Sequence, residues 1–227
     1  MDYLNLNATS TLAGLAVVLL VMFLRLHWPF RYQYLSYLFK RRQERRLHWL
    51  NASYRKNRAR SVAMLDKSTH EILVGNYELA ERYILQGLNV CKEQPSLFNH
   101  AMIHYLFYNL AVVYYSSGRY TEALELAFRV YQRDHGMTDS LAVIACAHAR
   151  LGEVERAQAA YELISRKRSA RGWKLFCLAE IEAAQGNYEH ALTHIRQLLD
   201  KSSPFVHLNR TELEKRLEEW KKASSQA

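Results

Sequence analysis

Proline and glycine are scarce in this sequence, which contains three Pro and eight Gly in 227 residues. Both residues mark the turns of strand-rich folds, so their scarcity counts against a many-turned β fold and favours helices. The three cysteines, Cys91, Cys146 and Cys177, are far apart and form no Cys-x-x-Cys pair. A disulfide framework is therefore not expected. We predict free thiols, buried or lining a groove, in a reducing compartment.

Acidic residues are nearly missing from residues 25–60, where Glu44 is the one acid against 11 Lys and Arg. Residues 61–227 contain 20 Lys and Arg and 20 Asp and Glu, so this larger part is neutral. The net charge of +9 therefore describes a short segment. Nucleic-acid binding by the larger part would need a basic surface that its composition does not supply, and we predict no nucleic-acid partner.

Sequence signatures of catalysis are also missing. The chain has no Gly-rich phosphate loop and no Gly-x-Ser-x-Gly motif. Two histidine pairs, His100/His104 and His190/His194, have the spacing that places both rings on one helix face, but neither forms His-Glu-x-x-His. We interpret them as surface or packing residues. No enzymatic activity, cofactor or metal site is predicted.

An apolar segment lies near the N-terminus. Residues 12–24 form an unbroken run of apolar or small residues, and the stretch from Ala8 to Trp28 approaches the length of about 20 residues that a membrane-spanning helix needs. The first 11 residues contain no Lys or Arg, whereas a cleaved signal peptide begins with a positive region. We predict a short extracytoplasmic N-terminus over residues 1–11 and a transmembrane helix over residues 12–28. The alternatives are a signal peptide and a buried soluble helix.

The cations that follow this segment predict its orientation, because Lys and Arg concentrate on the cytoplasmic side of a membrane span. The protein is thus expected to be single-pass, with its N-terminus outside and its larger part in the cytoplasm. Residues 29–60 are predicted to form a basic connector, and each of its cations that lies near an anionic surface would contribute roughly 1 kcal/mol. The predicted lipid contacts are Arg41, Arg42, Arg45 and Arg46. A solvated flank without such contacts and a nucleic-acid-binding segment are the alternatives.

The rest of the chain repeats a short motif, Gly-x-(aromatic or Val)-x-x-Ala. Its glycines are 43, 34 and 34 residues apart, and 34 residues is the period of a helix-turn-helix repeat. A glycine that ends a helix adopts the left-handed conformation easily, and a small alanine lets two helices approach closely. The four copies begin at Gly75, Gly118, Gly152 and Gly186, and their alanines are Ala80, Ala123, Ala157 and Ala191.

This pattern resembles the tetratricopeptide repeat family over residues 61–204. Small residues also stand seven positions before each glycine, at Ser68, Ala111, Ala145 and Ala179. The resemblance implies an all-α fold, in which an α-solenoid of about four helix pairs follows the transmembrane helix. Residues 205–227 would form a charged capping helix and tail, as terminal repeats require. The first unit has Lys67 where the others have Leu110, Ile144 and Leu178, so we expect it to be a distorted cap.

A weaker resemblance concerns the order of the segments. An apolar span, an Arg-rich connector and then a repeat is similar to the bacterial HemY N-terminal family and to LapB-type membrane-anchored repeat proteins. Residues 11–24, 41–60 and 74–81 carry this similarity. The chain lacks the two Cys-x-x-Cys pairs of the LapB type and the additional leading span of the HemY type. The similarity is therefore one of architecture.

The family resemblance also implies a binding surface on the first helix of each pair. The residues at the family's groove positions are Tyr105, Tyr108, Val112, Tyr115, Asp139, Cys146, Trp173, Phe176 and Glu180. Such an apolar and aromatic groove suits a partner helix or apolar peptide. The Lys and Asn that grip a chaperone's C-terminal carboxylate in other family members are absent here. In the alternative interpretation, the aromatic residues pack against the protein's own connector or C-terminal helix.

These features predict a membrane-anchored scaffold or adaptor that recruits proteins at the cytosolic face. Two other functions are compatible with the same sequence. One is a regulatory subunit of a membrane enzyme or protease, and the other is an organelle import receptor for amphipathic helices.

Overall fold

The computed structural model describes residues 8–27, 38, 42–166, 171–200 and 209–226, and within these it omits the side chains of residues 8, 9, 23–27, 43 and 171. All regular secondary structure in the described residues is helical. The helices are α1 (Ala8–His27), α2 (Gln43–Lys56), α3 (Ser61–Val74), α4 (Tyr77–Glu93), α5 (Leu97–Ser116), α6 (Tyr120–Arg133), α7 (Thr138–Arg150), α8 (Val154–Ser165), α9 (Arg171–Ala184), α10 (Tyr188–Asp200) and α11 (Arg210–Ser224).

Helices α3 to α10 form four consecutive pairs, and a glycine corner joins the two helices of each pair. The corner glycines Gly75, Gly118, Gly152 and Gly186 have φ of 83°, 79°, 77° and 81°. At the first corner, the Gly75 amide donates to the Ile72 carbonyl at 3.1 Å and the Asn76 amide donates to the Glu71 carbonyl at 2.8 Å. These bonds satisfy carbonyls that the end of a helix leaves without partners. The predicted helix pairs are confirmed.

The pairs stack side by side. Each helix from α2 to α8 packs against the next one along the chain, and the first helices α5, α7 and α9 also pack against one another. The stack buries the small residues that the repeat pattern singled out. Ala80, Ala111, Ala123, Ala145, Ala157, Ala179 and Ala191 are all fully buried. The architecture is that of an α-solenoid, because each pair covers the apolar face that its neighbour cannot bury alone.

Helix α2 belongs to this packed array, although the sequence placed it in a connector. Its Leu50 and Ser53 are buried, and the Ser53 hydroxyl donates to the buried carboxylate of Asp66 on α3. Tyr54 of α2 meets Tyr83 of α4 edge to face, with ring centroids 5.4 Å apart. Helix α2 therefore covers the outer face of the first pair, as a cap would.

The position of α2 explains why Lys67 replaces an aliphatic residue in the first repeat unit. The Lys67 Nζ lies 2.7 Å from Glu71 Oε1, and it stands 5.8 Å and 5.9 Å from the ring centroids of Tyr54 and Tyr83. A long cationic side chain suits this place because two aromatic rings and a buried carboxylate surround it. The unit departs from the repeat pattern where α2 docks on it.

Helix α1 has 20 residues, and its described apolar side chains from Leu12 to Met22 are exposed. Among the residues whose side chains are described, no helix has both the length and the apolar character needed to cross a membrane.

Candidate functional site

Most of the residues predicted to line a groove are buried. Asp139 is half-buried and Tyr105 is 45% exposed. The buried ones, each at most 4% exposed, are Tyr108, Val112, Tyr115, Cys146, Trp173, Phe176 and Glu180. The structure therefore corrects the expectation of an open groove at these seven positions, and the reason is that other parts of the chain cover them.

Several of these residues nonetheless lie in contact with one another. The ring of Phe176 meets those of Tyr115 and Trp173 edge to face, at centroid distances of 6.2 Å and 6.0 Å. The Tyr115 hydroxyl donates to Glu180 Oε1 at 2.6 Å across the boundary between repeat units. The Sγ atoms of Cys146 and Cys177 are 3.5 Å apart between α7 and α9. The second, third and fourth units thus share one cluster on their first helices.

The C-terminal helix α11 contacts this cluster at Tyr115 and Glu180. The Arg216 Nε lies 3.0 Å from Glu180 Oε1, and its guanidinium carbon is 5.9 Å from the Tyr115 ring centroid. One turn further on, Glu219 Oε1 is 2.7 Å from Arg150 Nη1. The Arg150 guanidinium is also 5.8 Å from the ring of Trp220, which is 2% exposed. Of the predicted groove residues, Tyr115 and Glu180 therefore pack against the protein's own C-terminal helix.

Helix α11 also reaches the two outer repeat units. At its start, Asn209 Nδ2 lies 2.7 Å from the point where a Cβ on Gly75 would stand. At its end, the Ser224 hydroxyl donates to Glu189 Oε1 in the first turn of α10 at 2.9 Å. The helix predicted to be a terminal cap thus contacts all four helix pairs.

Glu180 is the electrostatic centre of the site. It is 1% exposed, and besides Arg216 and Tyr115 its partner is Arg150, whose Nε lies 2.5 Å from Glu180 Oε2. Burial would lower the pKa of Arg216, but the facing groups, chiefly Tyr115 and Glu180, raise that pKa above its ordinary value. Burial and then Glu180 raise the pKa of Tyr115 well above its ordinary value. Both arginines therefore stay charged, and the Tyr115 hydroxyl keeps its proton and donates.

The sequence interpretation missed three parts of this site, namely Arg150, Arg216 and Glu219. Arg150 stands at the end of a helix, next to a glycine corner, where a cation ordinarily complements the helix dipole. Arg216 and Glu219 lie in a helix rich in both charges, where an acid and a base three residues apart usually form a surface pair. No local signal distinguishes them from solvated residues. Their role depends on which helix they meet in the folded chain.

The arginines of the basic segment before the solenoid differ in their exposure to solvent. Arg42 and Arg45 are exposed, but Arg46 is 4% exposed, and burial lowers its pKa to about 10. Arg46 was predicted to contact lipid; here it points into the protein because α2 packs against α3. Arg41 lies outside the described residues. On the outer face of α2, an open cavity of about 350 Å³ is lined by His48, Asn51, Ala52, Arg55 and Lys56.

The two histidine pairs do not form part of this site. The rings of His100 and His104 meet edge to face with centroids 6.0 Å apart. Within the described part of the chain, no three His, Cys, Asp or Glu residues are grouped as metal ligands.

The corner at Gly75 gives a testable prediction. A Cβ on Gly118 would meet no atom within 4 Å, so Gly118→Ala should cost only the strain of a positive φ, about 1–2 kcal/mol. Gly75→Ala should cost about 1 kcal/mol more, because it displaces the Asn209 side chain, whose Oδ1 caps α11 by accepting from the Thr211 amide at 3.0 Å. Urea unfolding would measure both losses. In an Asn209→Ala background the two glycine variants should cost the same, and a persistent difference would contradict this explanation.

Residues 107–133, which cover the second half of α5 and all of α6, match a family model described as tetratricopeptide repeat. No curated protein matches the chain, so the architectural similarity to the HemY and LapB types gains no support there. The second helix pair of this α-solenoid thus carries the tetratricopeptide repeat pattern that the glycine spacing predicted.

Proposed function

We propose that this protein is a scaffold that binds other proteins through its helical solenoid and is held at a membrane by α1. The observation that carries the proposal is the stack of helix pairs, one of which matches the tetratricopeptide repeat. Repeats of this kind generally mediate contacts between proteins, because a solenoid exposes a long surface relative to its core. The partner is a protein helix or an apolar peptide.

The exposed apolar residues on the first helix of the second pair support this proposal. Leu97 is 94% exposed and Tyr105 is 45% exposed, and both belong to α5. Exposed aromatic side chains are frequent anchors at protein interfaces. Tyr105 is also the one aromatic residue of the predicted groove that α11 and the neighbouring helices leave accessible.

The proposed membrane tether rests on the length of α1 and on the run of apolar or small residues over 12–24 in the sequence. A helix of 20 residues is about 30 Å long, which equals the thickness of a bilayer's hydrocarbon core, about 30 Å. Its described apolar side chains are 52–65% exposed, as lipid contact requires. The outer face of α2 adds Arg45, Arg55 and Lys56, and α2 is fixed to the solenoid. The stack would then stand on the cytoplasmic surface of the membrane.

Photocrosslinking in intact cells tests the scaffold function. A photoreactive amino acid at Tyr105 should capture a small, reproducible set of proteins. The matched control places the same amino acid at Leu163, which is also 45% exposed but lies on α8, a second helix. Capture of the same proteins with equal yield at both positions, or of none at Tyr105, would contradict the proposal. The captured protein also shows whether the partner is a membrane enzyme, a protease or another protein.

Membrane extraction tests the tether separately. The full chain should stay in the membrane pellet after alkaline carbonate treatment. A variant with Leu15→Lys and Val18→Lys should move to the supernatant, because two cations near the centre of a span are costly, about 2.5–3.5 kcal/mol each. A variant with Leu163→Lys serves as the control and should stay in the pellet. Release of the unaltered chain by carbonate would contradict the tether.

A further inference from the structure

The contacts of α11 form a reciprocal set of charges. Arg216 of α11 pairs with Glu180 of the solenoid, and Glu219 of α11 pairs with Arg150 of the solenoid. Helix α11 and the solenoid therefore each supply one acidic and one basic side chain. Trp220 follows Glu219 directly, and its ring lies near the same Arg150 guanidinium, 5.8 Å from its carbon. Along one face of α11 this gives the pattern Arg-x-x-Glu-Trp.

The face of α11 that meets the solenoid mixes charged and apolar residues, and Leu217 is half-buried against the core beside the fully buried ones. Its buried residues are Glu212, Leu213, Arg216 and Trp220, so two of the four carry charges. Buried ion pairs lose much of their attraction to the cost of removing both charges from water, and they specify a partner more than they stabilise it. The docking of α11 thus depends on a match of charges as well as on its apolar residues. A helix held in this way can be exchanged for another that offers the same match.

We propose that Tyr115, Arg150 and Glu180 form a helix-binding site that α11 occupies within the chain, and that a partner's amphipathic helix carrying Arg-x-x-Glu-aromatic competes for it. This inference rests on the proposed protein-binding function and names the chemistry of the partner. Arginine is required because one guanidinium must pair with Glu180 and also lie over the Tyr115 ring. Arg216 does both, with its Nε 3.0 Å from Glu180 Oε1 and its guanidinium carbon 5.9 Å from the ring centroid.

The site also discriminates against other helices. A partner helix without the arginine would leave the buried Glu180 carboxylate with Arg150 and Tyr115 alone. A helix without the acid would remove the ion pair that Arg150 Nη1 makes with a carboxylate at 2.7 Å. Buried polar groups that lose their partners cost about 1–3 kcal/mol, and more when they are charged. An apolar helix of the same shape is therefore rejected.

The test uses the full chain and a fluorescent peptide with the sequence of residues 209–226 as the probe. Fluorescence anisotropy measures binding of the peptide. The unaltered chain should bind it weakly, because α11 competes from within the same molecule. The variant Arg216→Ala/Trp220→Ala should bind it at least tenfold more tightly. Glu219→Gln, a milder change at a side chain that is 43% exposed, should show a smaller increase. The control Lys215→Ala, at an exposed position of the same helix, should match the unaltered chain.

A second peptide tests the chemistry of recognition. The probe with alanine in place of Arg216 should bind the double variant at least tenfold more weakly than the original probe does. A photoreactive group at the Trp220 position of the probe should label α7 or α9. Circular dichroism should show that no variant loses more helix than the 15 residues of α11, which separates release of that helix from loss of the fold.

Three results would overturn the inference. One is that the unaltered chain, Arg216→Ala/Trp220→Ala and Glu219→Gln all bind the probe with equal affinity. Another is that the double variant binds the original and the alanine-substituted probe with equal affinity. The third is a dimer of the full chain in sedimentation that exchanges α11 between copies, since a second copy would then be the occupant. Capture of a partner at Tyr105 with failure of the peptide experiments would leave the scaffold function in place and reject only this site.

Discussion

Replacing Glu180 by Gln should lower the free energy of unfolding by about 3–5 kcal/mol, the usual cost of breaking a buried ion pair. Glutamine has nearly the same shape, so packing around residue 180 is kept and only the negative charge is lost. Arg150 and Arg216 would then face each other across a neutral amide, although both now pair with Glu180 at 2.5 Å and 3.0 Å. The amide nitrogen would face either the Tyr115 hydroxyl or the Arg150 Nε, and both of these groups are donors.

Urea unfolding of the full chain in mild detergent would measure this loss. A control at an exposed acid, Glu125→Gln, should change stability by about 0.5 kcal/mol or less, since surface ion pairs contribute little. Glu125 is 61% exposed and pairs with Arg129 one turn away. Equal effects at the two positions would show that Glu180 is not the centre of a buried cluster in solution.

A double-mutant cycle separates the roles of the two arginines. Glu180→Gln should be much less costly in an Arg216→Leu background, because one of the two arginines that lose the Glu180 carboxylate is then absent. The change in the cost of Glu180→Gln between the two backgrounds also tests whether α11 is docked on the solenoid. If the costs of the two substitutions simply add, Arg216 and Glu180 do not interact.

The sequence predicted the helix pairs well because their signals are local. A glycine must adopt a positive φ to end the first helix of each pair, and it does so at Gly75 and Gly118, with φ of 83° and 79°. The alanine five residues later must be small whatever surrounds the pair, and Ala80 and Ala123 are fully buried. Requirements of this kind repeat with the period of the unit, so spacing alone reveals them.

The roles of α2 and α11 could not be predicted from local, periodic signals. Helix α2 appeared to be a basic connector, since its cations dominate its composition, but Ser53 and Asp66 fix it to α3. That contact joins two helices and does not recur with the repeat period, so the sequence pattern does not reveal it. Helix α11 was predicted as a polar cap, and the pairing of Arg216 with Glu180 decides which face of the solenoid it covers. The family positions could not show what lies against each first helix.

The predicted groove residues should therefore differ greatly in how they affect stability. Phe176→Ala should lower the free energy of unfolding by about 3–5 kcal/mol, because it removes a fully buried ring and leaves a cavity. The ring now contacts Tyr115 and Trp173 edge to face, and these contacts would be lost. Tyr105→Ala should change stability by about 0.5 kcal/mol or less, because that side chain is 45% exposed.

Urea unfolding followed by circular dichroism would measure both changes, and Leu163→Ala provides a control of the same exposure on a second helix. Comparable small effects of Phe176→Ala and Tyr105→Ala would mean that the Phe176 ring is not buried in solution. The distinction also decides how partner binding is tested. A Phe176 variant that loses a partner has lost packing as well, so its result is ambiguous. A Tyr105 variant keeps the fold, and loss of a partner there can be attributed to the surface itself.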